Sequence, residues 1–453
     1  MSTDTRTAAH DSDTEKSPGT PRPAARRTRR VIAATLFGGA AGAAALSLGV
    51  FAGATEATIT GSILLAFGAA WGAMAGLSRK AAEPMRWASV PAVAMSAVGL
   101  GLLAFQPGDS TLTALSWVWP ALMLALVVWM SRQIRRSTRA GRWLLTPVVA
   151  VLALASLGTT YENVAASRDN HSHPAPGRLF EVNGHRLHLD CRGQGGPTVV
   201  LFNGLGEVSA SWARIASSLT STVRVCAYDR AGQGWSGDVS HPQDGVAAAK
   251  DLHALLAAAD EHGPFVLAGH SIGGPFAMTY AARYPTQVAG MVLLDSSSPE
   301  QFTRMPAYPG QYAVIRRVYA LMPTLYRFGL GRVGAAAVPS HLPAQAADQV
   351  RAVTSSAHGA RNMRDDASML HQVFGQAQAL TTLDGRPLAV VTASGSLDDT
   401  VGWAAAQDVL AALSDDHLHT VVQSSHTGLL EDRAPAAESV KAISWVVDAV
   451  RAR

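Results

Sequence analysis

The stretch Phe265-Val266-Leu267-Ala268-Gly269-His270-Ser271-Ile272-Gly273-Gly274 decides the reading of this chain. A short apolar run of strand character enters G-x-S-x-G, and residues 275–283 have the Ala-rich apolar spacing of a helix. Strand, sharp turn and helix in that order form an elbow that lifts a serine clear of the backbone. The turn is so tight that the positions two residues either side must be nearly free of side chain, which accounts for Gly269 and Gly273. Ser271 then stands at a helix N-terminus, where unpaired backbone N–H groups stabilise developing negative charge.

The flanking segments continue the pattern. Residues 178–182 and 185–191 flank Asn183-Gly184, the strongest short hairpin signal. Runs at 198–202, 223–228 and 290–294 read as buried strands, with a helical pattern at 245–259. This alternation predicts an α/β fold, a mostly parallel sheet with helices on both faces. From 298 to 386 the strand rhythm stops, and helical patterning carries Tyr308, Tyr312, Tyr319 and Tyr326. An insertion of that length is too long for a plain loop and predicts a helical cap. Strands resume at 387–393 and 418–422, with a helix at 403–413 between them and an amphipathic closing helix at 436–450.

Upstream, the composition changes. Residues 1–30 are polar and Arg-rich without apolar periodicity and are expected to be disordered. Five apolar runs follow across 31–161, near 31–53, 57–77, 88–106, 111–130 and 143–161, each close to the length that crosses a bilayer. The third carries Pro91 and is the weakest. Gly68, Gly72 and Gly76 repeat at four-residue spacing in the second, either to admit a neighbouring helix or because Gly is common in such segments. Arg26 to Arg30, then Arg79, Lys80 and Arg86, then Arg132, Arg135, Arg136, Arg139 and Arg142 make every second connection basic, while the alternate ones hold Glu56 and Asp109. The positive-inside rule therefore predicts an integral plasma-membrane protein with a cytoplasmic N-terminus and everything after the fifth span outside. Residues 162–177 read as a polar linker whose His171 and His173 lack a completing ligand set. The net charge of +4 lies in clusters between apolar segments, a pattern of membrane topology that argues against nucleic-acid binding.

Four motifs in order, Leu201-Phe202-Asn203-Gly204-Leu205-Gly206, Tyr228-Asp229-Arg230-Ala231-Gly232-Gln233-Gly234, Gly269-His270-Ser271-Ile272-Gly273 and a histidine after the last strand, resemble the α/β-hydrolase superfamily over 178–453. The resemblance implies an eight-stranded sheet with a helical cap. It departs at Asn203, where many members carry His. It implies Ser271 as nucleophile and His426 as general base, since a serine hydroxyl attacks a carbonyl only when a base takes its proton. His270, His417 and His419 are assigned structural places. The oxyanion hole is expected from the backbone N–H groups of Leu205 and Ile272. The acid that orients His426 is either Asp295, directly at a strand end, or Asp398, in the later loop where many members place theirs; the strand-end position favours Asp295. Asp229-Arg230 reads as an ion-paired loop brace.

The implied activity is that of a membrane-anchored serine hydrolase cleaving an ester or related acyl bond, peptidase chemistry included, through an acyl-enzyme. The expected substrate is a small-molecule or lipid-like acyl compound, with no cofactor and no metal. The alternative is a non-catalytic membrane receptor or scaffold with a hydrolase-like domain, against which the intact Ser271 and His426 stand. The superfamily's usual strand order also brings Cys191 beside Cys226, either as a disulfide fit for an oxidising exterior or as two packed thiols.

Overall fold

The computed structural model describes residues 23–81 and 83–453. The disorder expected for 1–30 falls, for residues 1–22, outside the described residues. Residues 23–30 instead open the first helix, because the Ala/Arg run there has high helix propensity and joins the apolar segment without a breaker. The N-terminal part is a bundle of five long apolar helices: α1 (Pro23–Ala44), α2 (Glu56–Leu77), α3 (Ser89–Phe105), α4 (Asp109–Arg135) and α5 (Arg139–Ser172). With their flanking turns, all five are long and apolar enough to cross a membrane. Thr55 and Thr138 cap α2 and α5 through their hydroxyls.

The bundle interior holds Trp71, Met74, Met130 and Leu145. Its outside is apolar too, with Phe37, Phe105, Trp143 and Leu154 largely exposed. Close approach of α2 to α3 occurs at Gly61, where a Cβ would meet the Gly99 carbonyl at 2.9 Å, and at Gly68, where it would meet Ser96 Oγ at 2.3 Å. Gly72 has only ordinary contact and Gly76 faces open space, so one glycine of the four-residue repeat packs a helix and the other two do not. The polar linker expected at 162–177 is corrected as well. Helix α5 runs on to Ser172, because Glu162 and Asp169 in this stretch are held by Arg332 rather than by water.

The C-terminal part begins with the hairpin β1 (Arg178–Val182) and β2 (His185–Arg192), turned by Asn183 and Gly184 at φ 51° and 89°. It continues through β3 (Val199–Phe202), α6 (Ala213–Leu219), β4 (Val225–Asp229), α7 (Gly245–Ala258), β5 (Phe265–His270), α8 (Gly273–Arg283) and β6 (Val288–Leu294). Five helices are then inserted: α9 (Gln301–Arg304), α10 (Tyr308–Arg327), α11 (Leu330–Ala337), α12 (Ala344–Thr354) and α13 (Ala357–Ala377). The fold closes with β7 (Leu388–Ala393), α14 (Ser394–Asp399), α15 (Trp403–Ala411), β8 (His417–Val422), α16 (Gly428–Glu431) and α17 (Arg433–Arg451).

The eight strands form one sheet in the order β1-β2-β4-β3-β5-β6-β7-β8, with β2 antiparallel to both neighbours and β3 to β8 mutually parallel. Alternate residues of each central strand serve opposite cores. Val200, Phe202 and Leu267 pack toward α7 and α8, while Val199, Leu201 and Val266 pack toward α6 and α17. Because both faces are covered, the strands are apolar throughout, and their C-terminal ends are left as the place for polar chemistry.

Cys191 on β2 stands opposite Cys226 on β4 in the ladder, and the two are bridged. Thiol labelling of the unfolded, unreduced protein is therefore expected to find no reactive cysteine, and two reactive thiols would contradict the bridge. Replacing the pair by alanine removes a closure spanning 35 residues and is expected to lower stability by roughly 3–4 kcal/mol.

Candidate active site

The serine elbow is a steric construction. Ser271, between β5 and α8, holds φ at 54°, a conformation that non-glycine residues adopt only when their surroundings impose it. A Cβ at Gly273 would lie 2.2 Å from the Phe202 carbonyl, and one at Gly269 would lie 2.7 Å from the Gly273 backbone. A side chain at Gly273 would push the elbow off the neighbouring β3 strand, and one at Gly269 would force the turn itself open. The Ser271 N–H donates to the Leu294 carbonyl at 3.2 Å, and its carbonyl accepts from the Ser297 N–H at 3.0 Å. The turn is thereby pinned to the end of β6.

Asp295 follows β6 directly, is wholly buried and also holds a positive φ, of 41°. Its carboxylate accepts from His426 Nδ1 at 2.6 Å, from Trp403 Nε1 at 2.8 Å, from the Ala393 N–H at 3.1 Å and from the Ser396 hydroxyl. Burial pushes the carboxyl's pKa up, but the hydrogen bond and charge of His426, with Ser396 and Trp403, outweigh it and hold it below the ordinary range. With Nδ1 donating to this carboxylate, His426 Nε2 is left to accept a proton. Asp398, by contrast, is exposed on α14 and has no hydrogen-bond or ion-pair partner among the described residues.

His426 sits in the connection between β8 and α16, and two contacts tie it to the elbow. Its ring centroid lies 4.5 Å from that of His270, and its carbonyl accepts from His270 Nε2 at 3.0 Å. The Ile272 and Leu205 N–H groups make no hydrogen bond among the described residues.

The sequence reading missed Glu207. On the loop after β3, its carboxylate accepts from the Gly204 N–H at 2.5 Å and from His270 Nδ1. His270, wholly buried and assigned a structural place from the sequence, thus meets Glu207 through Nδ1 and the His426 carbonyl through Nε2 and joins the β3 loop, the elbow and the His426 loop. Burial lowers the His270 pKa, but the Glu207 charge and hydrogen bond more than reverse this and raise it. Burial likewise raises Glu207, and His270 with the Gly204 N–H pulls it below its ordinary value. The available signal was an acidic side chain on an otherwise Gly-rich apolar loop.

Asp229 and Arg230 are both ion-paired, each with its own partner. Asp229 pairs with His188 at 2.8 Å and accepts from the Ser209 N–H at 2.7 Å, whereas Arg230 pairs with Asp366 of the inserted helices at 2.8 Å. The two face apart because adjacent residues at a strand end point to opposite sides. Asn203, the departure from the usual histidine, is fixed in the same brace. It donates to the Tyr228 carbonyl at 2.9 Å and accepts from Trp212 Nε1 at 3.0 Å.

Among the described residues, two clusters have metal-like composition. Cys191, Cys226 and Glu261 are one, in which the cysteines are already bridged. Asp109, Asp238 and His358 are the other, and its carboxylates are taken by Arg327 and Arg361. Neither keeps a free donor set for an ion.

Comparison with known proteins agrees with this architecture. A family model described as alpha/beta hydrolase fold matches residues 197–320. An uncharacterized Schizosaccharomyces pombe protein is 33% identical over 155 residues, 27% of this chain and 29% of that protein. A pimeloyl-[acyl-carrier protein] methyl ester esterase from Shewanella sp. is 36% identical over 129 residues, 28% of this chain and 44% of that protein. Of their own lengths, then, the chain spans less than half of these relatives. A crystal structure of an aCif variant superposes with a TM-score of 0.51 at 15% identity, covering 64% of this chain and 96% of that one, a likeness of fold. Sheet order, elbow and matches together give the C-terminal part the α/β-hydrolase fold.

A pH signature follows from the Glu207–His270 pair. The raised His270 pKa stabilises the fold fully below its ordinary value of 6.5, and this is lost as pH rises through the folded value. The lowered Glu207 pKa stabilises above its ordinary 4.5, and this is lost as pH falls through the folded value. Glu207→Gln is therefore expected to destabilise most between pH 4.5 and 6.5, by roughly 3–5 kcal/mol as for other broken buried pairs. Thermal melts of both proteins across pH check this, and a pH-independent difference would contradict it.

Proposed function

We propose that this protein is a membrane-anchored serine hydrolase that cleaves an ester or related acyl bond through an acyl-enzyme. The observation that carries the reading is the 2.6 Å bond from His426 to buried Asp295, made beside a serine held at positive φ. Ser271 Oγ attacks the substrate carbonyl while His426 Nε2 takes its proton. Asp295 keeps the proton of the other ring nitrogen in place and favours the imidazolium that forms. The oxyanion accepts hydrogen bonds from the Leu205 and Ile272 N–H groups. Collapse expels the alcohol, which regains the proton from His426, and water attacks the acyl-enzyme by the same steps. An ester is the preferred bond because one relative is a methyl ester esterase, and a second, from Agrobacterium fabrum, is named a putative carbamate hydrolase at 30% identity.

The membrane reading rests on the surface of the bundle. Soluble proteins seldom expose a continuous apolar belt, and here Phe105 is 85% and Trp143 75% exposed, with similar residues on the other helices. The ends of the bundle differ in charge. Arg79, Lys80, Arg132 and Arg135 close one end, while Glu56, Asp109 and Asp169 lie at the other, against the inserted helices of the hydrolase domain. Residues 31–161 then form the membrane region and 178–453 the catalytic domain, with 298–386 as its cap. Under the positive-inside rule the hydrolase lies outside the cytoplasmic membrane.

Ser271→Ala is expected to abolish labelling by a serine-reactive fluorophosphonate, and labelling that persists would sink the reading. Ser271→Ala and His426→Ala should each remove nearly all turnover, and the double variant should lose little more, because the two act as one unit. Asp295→Asn is expected to cut kcat by roughly 10⁴, as a wrongly tautomerised histidine does in such triads, and Asp398→Asn to leave it near wild type. The reverse ranking would move the acid to α14. A reporter active only outside the cytoplasm, fused after Arg453, should be active, and a silent but folded fusion would invert the topology.

A further inference from the structure

Two cavities meet at one arginine where the bundle joins the cap. The lower one, 340 Å³, lies among α2, α3, α4 and the end of α10 and is lined by Leu64, Leu102, Leu115, Leu122 and Phe328. Its wall on α4 includes Leu115 and Leu122, half or more exposed on the outer face of the bundle, so the cavity opens sideways onto the belt assigned to lipid. The upper one, 630 Å³, lies between the outer ends of α4 and α5 and the hydrolase domain and is lined by polar side chains such as Asn163, Asn170, His173 and Arg186. Arg327 lines both and is held there by Glu56 and by Asp109 at 2.6 Å. The size of the lower cavity lies within the usual range for small-molecule sites.

The upper cavity lies on the side of the domain that carries the loop after β3. Gly234 and Val353 line it and also line a small cavity of 10 Å³ at Gly206 and Glu207, on the loop expected to supply the oxyanion hole. Cap and bundle are firmly joined here. Thr60 and Thr324 share a 2.8 Å hydrogen bond, and a Cβ at Gly158 would lie 2.2 Å from the Phe328 carbonyl.

An apolar chamber open to lipid, a polar chamber above it and a charged ring between them match an amphiphile in shape and polarity. We propose that the junction is an entry site for a membrane lipid ester, with one acyl chain in the lower chamber and the headgroup in the upper. Around the upper chamber Arg327 is shared by Glu56 and Asp109, and Arg332 by Glu162 and Asp169, so each arginine faces two carboxylates. Arg186 lines the chamber without an ion-pair partner among the described residues, but with it counted the three arginines still face four carboxylates, so there is no positive excess to hold a bare anion and the headgroup is one without net charge, uncharged or zwitterionic. This inference rests on the membrane-anchored hydrolase reading and specifies its substrate class.

The test uses the full chain in nanodiscs and a phosphatidylcholine probe with a photoreactive acyl chain. Cross-links mapped by mass spectrometry are expected on the chamber-lining parts of α2, α3 and α4 and to fall at least fivefold in Leu115→Trp, which fills the opening. Cross-links spread evenly over the outer faces of α1 and α5 would overturn the site, and an anionic phosphatidylglycerol probe that labels more strongly would overturn the headgroup assignment. The ratio of kcat/KM for a sixteen-carbon ester over an acetate ester should fall about tenfold in Leu115→Trp and stay constant in Leu154→Trp, on the lipid-facing side of α5 away from both chambers. An unchanged ratio in Leu115→Trp would overturn the role in substrate entry. Fluorophosphonate labelling of the wild type runs in parallel: its absence with cross-links in place refutes the hydrolase reading and with it the substrate role, and its presence with dispersed cross-links refutes the entry site alone.

Discussion

The contact between the elbow and β3, backbone against backbone, is the constraint on which the rest of the site depends. With Gly273 lying where any Cβ would meet the Phe202 carbonyl, α8 starts close against the end of β3, and Ser271 has nowhere to go but the left-handed region. Positive φ at Ser271 and again at Asp295 costs of order 1–3 kcal/mol each. The surrounding sheet, covered on both faces by large apolar cores, is rigid enough to carry that strain. In return the serine and the buried aspartate that bonds His426 are held at the C-terminal ends of neighbouring strands, the kind of rigid placement that the proposed chemistry needs.

Around this frame, buried charge pairs set the position of loops that apolar packing leaves free. Glu207 and His270 join three segments, Asp229 and His188 hold the loop after β4, and Arg327 and Arg332 fasten the cap to the ends of the helices below. Buried pairs of this kind add little net stability over apolar replacements, yet breaking one partner leaves a charge stranded. Their effect is on geometry: each admits one arrangement of its loops. The arginine-held junction also ties the inserted helices to the bundle, so the placement of the one depends on the other.

What the sequence made legible was local or periodic. The elbow follows from residues within a single turn, the five apolar helices from runs of twenty or so residues, and the parallel sheet from alternation. Asp295 stands out in the sequence by its place at a strand end, and in the structure its carboxylate meets His426 there. Features that depend on distant partners stayed hidden. Glu207 reads as an ordinary loop acid until folding brings it to His270, 63 residues on. Glu162 and Asp169 look like a solvated linker until Arg332 reaches them from the cap. The spacing of Gly68, Gly72 and Gly76 could not tell which glycine meets a neighbour, because that depends on how α3 crosses α2.

The claim that the elbow serine forms a covalent intermediate is tested most directly by trapping it. Full-length protein quenched during turnover of a p-nitrophenyl ester, then digested and mapped by mass spectrometry, is predicted to carry one acyl group on the peptide containing Ser271. Turnover with no adduct there, or with the acyl group on another side chain, would contradict the account.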